Sequence, residues 1–164
     1  MTPGLPTIGM AVLAGAIISS PVLAQKRADK ATALRLAEFM PAPLEDWNSG
    51  KPRIGWLNGG GSARALYWSK KPGVGSYTIT FEVRTRGIDY KKDLLKERKR
   101  AARRGYQFRK IAETVALVKT SLKKVEFRMW YKGRILVLAK GSAKLETIEE
   151  HLKTIDFEKL GGVK

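Results

Sequence analysis

Between Tyr77 and Arg84 apolar and polar residues alternate without a break, with Tyr77, Ile79, Phe81 and Val83 set against Thr78, Thr80, Glu82 and Arg84. A period of two places the two sets on opposite sides of an extended chain, which commits this run to a strand with one dry and one wet face. The preceding run has the same period: Ala63, Ala65 and Tyr67 alternate with Arg64, Leu66 and Trp68. Between them, Lys71-Pro72-Gly73-Val74-Gly75 is turn chemistry, so the two runs read as a β-hairpin.

Four further strands are expected, over Tyr106–Ala112, Thr114–Thr120, Val125–Tyr131 and Arg134–Ala139. Lys132-Gly133 makes a tight hairpin between the last two, because glycine supplies the positive φ that such a turn needs. Ile135 to Leu138 is continuously apolar, as expected of a central strand covered on both sides. Three helices interrupt the strands. The first begins after a capping candidate at Asp29, carries Ala31, Leu34 and Ala37, and must stop before Pro41. The second is basic, runs from about Tyr90 to Arg104 and ends at Gly105. The third runs from about Lys144 to Thr154, with Leu145, Ile148, Leu152 and Ile155 on one stripe. Between the first helix and the hairpin, the stretch from Pro41 through Gly59-Gly60-Gly61 reads as a long loop, and its Trp47 and Trp56 should fold it down over the core. The expected architecture is α+β: an antiparallel sheet of about six strands sandwiched by helices, with Phe81, Phe127, Val137, Ile148 and Leu152 in the core.

The N-terminus carries an address. An uncharged apolar run from Ile8 to Ile18 is too short to span a bilayer, and Pro21 and Val22-Leu23-Ala24 follow it just before Gln25. This predicts a signal peptide over residues 1–24 and a single domain over 25–164 with no second apolar run long enough to cross a membrane, although Met1–Thr7 lacks the usual Lys or Arg. The expected location is periplasmic or secreted. The chain has no cysteine, which removes disulfides, thiolate metal sites and thiol nucleophiles together.

Phe39-Met40-Pro41 through Leu44 and Trp47, Ala63-Arg64-Ala65-Leu66-Tyr67, Val115-Ala116-Leu117, Lys132-Gly133-Arg134-Ile135-Leu136-Val137 and Thr154-Ile155-Asp156-Phe157-Glu158-Lys159-Leu160 together form a pattern. It resembles a group of uncharacterised exported bacterial proteins similar to the Mog1/PsbP-like α/β/α sandwich superfamily. The resemblance implies a fold and an envelope address and supplies no catalytic residue. The basic helix departs from the group's pattern.

Residue by residue, the chemistry is sparse. The one histidine, His151, lies beside the apolar stripe of the last helix and reads as a boundary residue, with no second histidine to share a metal. Gly59-Gly60-Gly61 leads into a strand and lacks the Gly-Lys-Ser/Thr of a phosphate loop. Carboxylates such as Asp93 and Glu97 are interleaved with Lys and Arg, the pattern of a solvated salt-bridged face. No catalytic residue, cofactor or metal site is therefore expected.

Charge is the remaining functional signal. The formal net charge is +17. Twelve Lys and Arg residues between Arg84 and Lys110 face only Asp89, Asp93 and Glu97, so the basic helix should present a cationic ridge. Lys92, Lys96, Lys99, Arg100 and Arg103 are the anion-contact candidates. Two functional classes fit. One is a non-catalytic exported binding or scaffold module touching lipid headgroups, lipopolysaccharide, an acidic glycan or an acidic protein. The other, favoured if the N-terminal segment is not an export signal, is a nucleic-acid-binding protein with Tyr90, Tyr106 and Phe108 stacking on bases.

Overall fold

The structure, a computed structural model, describes residues 21–57, 60–83 and 99–163. In chain order these form α1 (Pro21–Glu38), β1 (Trp47–Ser49), β2 (Arg53–Leu57), β3 (Gly60–Ser69), β4 (Ser76–Val83), helical residues 99–103 (α2), β5 (Gln107–Ile111), β6 (Thr114–Ser121), β7 (Lys124–Tyr131), β8 (Ile135–Gly141), α3 (Leu145–Lys153) and α4 (Phe157–Leu160). The eight described strands make one sheet in the order β1-β3-β4-β8-β7-β6-β5, with β2 also paired to β3. Every pairing is antiparallel. The six expected strands correspond to β3 through β8. The two additional ones, β1 and β2, lie in what reads from sequence as a long loop, because Trp47–Ser49 and Arg53–Leu57 are too short and too mixed to show a period of two.

Register and alternation define the two faces of the sheet. On one, the row Ala116, Met129, Val137, Phe81 and Ala63 runs across five strands beside the row Val118, Phe127, Ala139, Ile79 and Ala65. All ten are buried. Ala33 and Leu36 of α1, Ile148 and Leu152 of α3, and Phe157 and Leu160 of α4 are buried as well, and nearly all of these side chains join in one core. The five expected core residues Phe81, Phe127, Val137, Ile148 and Leu152 are each 0% exposed. In central β8, Ile135, Leu136 and Val137 are buried in succession, as its continuous apolar run requires.

Two local expectations are corrected. Helix α1 is already formed at Pro21, the first described residue and eight residues before the capping candidate Asp29. The alanine-rich sequence from Ala24 to Ala33 favours helix throughout. Its end is as expected, since the chain leaves the helix at Glu38, ahead of Pro41. The two tryptophans separate: Trp47 is 6% exposed, with its ring centroid 4.9 Å from that of Tyr77, whereas Trp56 is 56% exposed on β2.

Two glycines permit close backbone approaches, one between helix and sheet and one between neighbouring strands of the sheet. A Cβ on Gly61 would stand 2.6 Å from the Asp29 carbonyl oxygen of α1, and one on Gly141 would stand 2.1 Å from the Ser76 carbonyl oxygen. Helix α1 therefore crosses β3 at backbone contact, and β8 passes β4 as closely.

Candidate anion-binding site

The opposite face of the sheet carries the charge. Its middle row is Phe108, Leu117, Arg128, Leu138, Thr80, Arg64 and Arg53, one residue from each successive strand. The neighbouring row is Lys119, Glu126, Lys140, Thr78 and Leu66. The described end of the basic helix lies on this face, where Arg100, Ala101, Arg104 and Tyr106 meet Leu117 and Arg128 around a recess of about 130 Å³.

Local sequence builds the recess. Gly105 adopts φ +76°, the left-handed conformation expected at the end of this helix, and the Tyr106 N–H donates to Ala101 O at 3.0 Å while the Gly105 N–H donates to Ala102 O at 3.1 Å. That pair of bonds is a Schellman closure, which turns the chain back so that Tyr106 comes under the arginines of the preceding turn. Ala101, 6% exposed, is the small apolar contact that lets the helix approach the sheet.

Glu126 organises the cations. It accepts hydrogen bonds from Tyr106 Oη at 3.0 Å and Arg128 Nη2 at 2.9 Å, and Lys140 Nζ stands 3.6 Å from its second oxygen. Burial raises the Glu126 pKa, but the two hydrogen bonds and the positive charges of Arg128 and Lys140 outweigh it and hold the carboxyl below its ordinary value. For Tyr106, burial and the bond to Glu126 push the phenol pKa up. Its ring has Lys119 Nζ at 5.6 Å and the Arg128 guanidinium carbon at 5.9 Å from the centroid, both within cation–π range. Among the described residues, Glu126 is thus held by Tyr106, Arg128 and Lys140, with Lys119 over the Tyr106 ring and Arg100 and Arg104 lining the recess beside them. The buried Nε of Arg128 has no hydrogen-bond partner among the described residues.

Of the sequence-derived contact candidates, Lys99, Arg100 and Arg103 are exposed. Among the described residues, none of these three, nor Arg104, takes part in an ion pair. Only Arg100 lines the recess; Lys92 and Lys96 lie outside the described residues. The recess adds Arg104 and Arg128, with Lys119 over the Tyr106 ring and Lys140 beside Glu126 at its margin. Lys119 and Arg128 lie inside expected strands, whereas Lys140 falls one residue past the strand expected over Arg134–Ala139, and nothing in the sequence aligns β6, β7 and β8 with the helix.

His151 is not at a boundary. It is 0% exposed, with Nδ1 2.6 Å from the Tyr77 hydroxyl and Nε2 2.7 Å from the Ala42 carbonyl oxygen. A carbonyl only accepts, so Nε2 carries the proton and Nδ1 accepts from Tyr77. The Tyr67 hydroxyl donates to Pro41 O at 2.9 Å, and burial raises the pKa of both tyrosines. These polar groups anchor residues 41 and 42 to the core, enclosed and away from the charged face. Among the described residues no cluster of three or more metal-binding side chains is present, and no helix is long and apolar enough to cross a membrane.

No family model and no curated protein matches this chain. A solved structure described as MucB in complex with MucA(peri) is similar over 70% of this chain at 14% identity and a TM-score of 0.36. The match covers 34% of that chain, so the present chain spans about a third of its length. A likeness this loose carries neither fold nor function across.

Proposed function

We propose that the protein is a non-catalytic anion-binding module, exported to the periplasm or beyond, that captures negatively charged groups in the recess between α2 and the sheet. The observation that carries this reading is the convergence of Arg100, Arg104 and Arg128 on one recess, beside Glu126, a carboxylate already engaged by Tyr106, Arg128 and Lys140. Guanidinium groups bind carboxylate and phosphate oxygens with two parallel hydrogen bonds, and the Tyr106 ring offers a flat wall beside them. Export is supported by the apolar run Ile8–Ile18 and by Val22-Leu23-Ala24. A cut after Ala24 would remove the described residues Pro21–Ala24 of α1 and leave Ala33 and Leu36 in the core. Helices on both sides of an antiparallel sheet also support a Mog1/PsbP-like arrangement.

Nucleic acid is the second reading, favoured by Phe108, which is 42% exposed and sits next to Leu117 on the recess face. The test is salt-titrated binding of wild type and an Arg100→Gln/Arg104→Gln variant to heparin and to single-stranded DNA. Wild type should bind heparin with affinity falling steeply with salt, and the variant should bind at least about tenfold more weakly. Equal binding by both proteins would remove the recess from the function, and a strong preference for DNA that depends on Phe108 would establish the second reading.

A further inference from the structure

The recess occupies only one part of the charged face. Across the sheet from it, Leu66 and Trp68 of β3 point to the same side and are 46% and 40% exposed. The Trp68 ring lies over Gly50, where a Cβ would come 3.7 Å from its Cζ3. Around the two apolar side chains stand exposed cations: Arg64 next along β3 on the same face, Arg53 its register partner on β2, and Lys140 one strand beyond Thr78, the partner of Leu66. The carboxylates of this face among β3, β4, β7 and β8 are Glu82, which is 2% exposed, and Glu126, which the recess residues hold. Solvent therefore meets aliphatic, indole and cationic groups here, set in the rows of one sheet surface and continuous through Lys140 with the recess.

We infer that this open part of the sheet face is a docking surface for a negatively charged phospholipid bilayer, with Leu66 and Trp68 entering the headgroup boundary and Arg53, Arg64 and Lys140 contacting the phosphates. The inference rests on the anion-binding reading above and names the source of the anion. An indole with one apolar and one polar edge partitions to the membrane interface, and shallow apolar insertion combined with basic side chains is what holds peripheral proteins on anionic lipid. Nucleic acid would use Trp68 for stacking but gives the aliphatic Leu66 no counterpart. A bilayer uses both.

Binding is measured to vesicles of phosphatidylcholine, to vesicles of equimolar phosphatidylcholine and phosphatidylglycerol, and to heparin, for wild type and a Leu66→Thr/Trp68→Thr variant. Threonine keeps strand propensity, and matching thermal melts check the fold. Wild type should bind the mixed vesicles and not the neutral ones, the variant should lose about tenfold or more on the mixed vesicles, and both should bind heparin alike. Brominated lipid provides a readout independent of that variant: the fluorescence difference between wild type and Trp68→Phe should be quenched on the vesicles. Heparin binding with no vesicle binding, or vesicle binding that is equal in the variant with Trp68 unquenched, overturns the docking surface and leaves the anion-binding module standing. Wild type that binds neither heparin nor vesicles overturns both.

Discussion

Tyr77 and His151 show how one buried polar pair constrains the fold. His151 is shut off from solvent, and desolvation pushes its pKa below the ordinary value, opposed only in part by its bond to the Ala42 carbonyl and by the charge of Glu150. A histidine whose pKa is depressed on folding stabilises the native state above its unfolded pKa of about 6.5, and that contribution is lost as pH falls toward the folded value, because the unfolded chain takes up the proton first. Urea midpoints should therefore decline from about pH 6.5 downward, before the carboxylates reach their own range, and a His151→Gln variant should show a flatter profile over that window. Glu126 and Glu149, whose pKa values are lowered by their cationic partners against the effect of burial, add their loss only at more acidic pH. Tyr77→Phe removes the donor to Nδ1 and should cost about 1–3 kcal/mol, read from the denaturation midpoint at neutral pH. A variant as stable as wild type would show that the imidazole finds another partner. The sequence places His151 beside an apolar stripe and stops there; which carbonyl and which hydroxyl meet it depends on chain 109 residues away at Ala42 and 74 away at Tyr77.

Elements with a strong period of their own were legible, and those defined by their neighbours were not. The third helix is expected over about Lys144–Thr154 and found as Leu145–Lys153, because Leu145, Ile148 and Leu152 return at helical spacing and bury one stripe. The Lys132-Gly133 turn was equally readable: the two residues take φ +47° and +68° between paired Tyr131 and Ile135. By contrast, β1 and β2 exist because β3 is ten residues long and offers its outer edge to both in succession. No three- or five-residue segment announces that in its own composition. Since α3 closes one side of the core, Ile148→Ala and Leu152→Ala should each cost about 2–5 kcal/mol in denaturant titrations, the range for emptying a large buried aliphatic site. Unchanged midpoints in both would make the helix peripheral. Gly141→Ala should do more damage than either, since its Cβ would lie 2.1 Å from Ser76 O and 2.3 Å from the Tyr77 Cα, backbone atoms that cannot turn aside. Failure to recover folded protein is the expected result, and a folded variant with a wild-type melt would contradict that close approach.

For the whole molecule, the question is whether the net charge of +17 acts as a diffuse field or through one place. Charge excess was legible in the composition, but its focus was not, because the recess joins a helix end to strands whose register only the folded sheet fixes. The two possibilities separate experimentally, since exposed charges farther apart than a Debye length of about 8 Å at physiological salt act almost independently. Lys99 and Arg103 are exposed on the same helix as Arg100, but only Arg100 lines the recess, where Arg104 joins it. A Lys99→Gln/Arg103→Gln variant and an Arg100→Gln/Arg104→Gln variant carry the same net charge. If the field alone governs binding, both lose the same affinity for heparin, and both flatten its salt dependence by about one unit of slope for each cation that contacted the polymer. If the recess is the site, the second variant loses at least about tenfold more than the first. Both should melt at or above the wild-type temperature, because no ion pair with a described residue is broken and mutual repulsion is relieved. Arg128→Gln is the contrasting control: it leaves half-buried Glu126 with fewer donors and should lower stability as well as binding. Equal losses in the two charge-matched variants at every salt concentration would assign the charge to the surface as a whole and dismiss the recess.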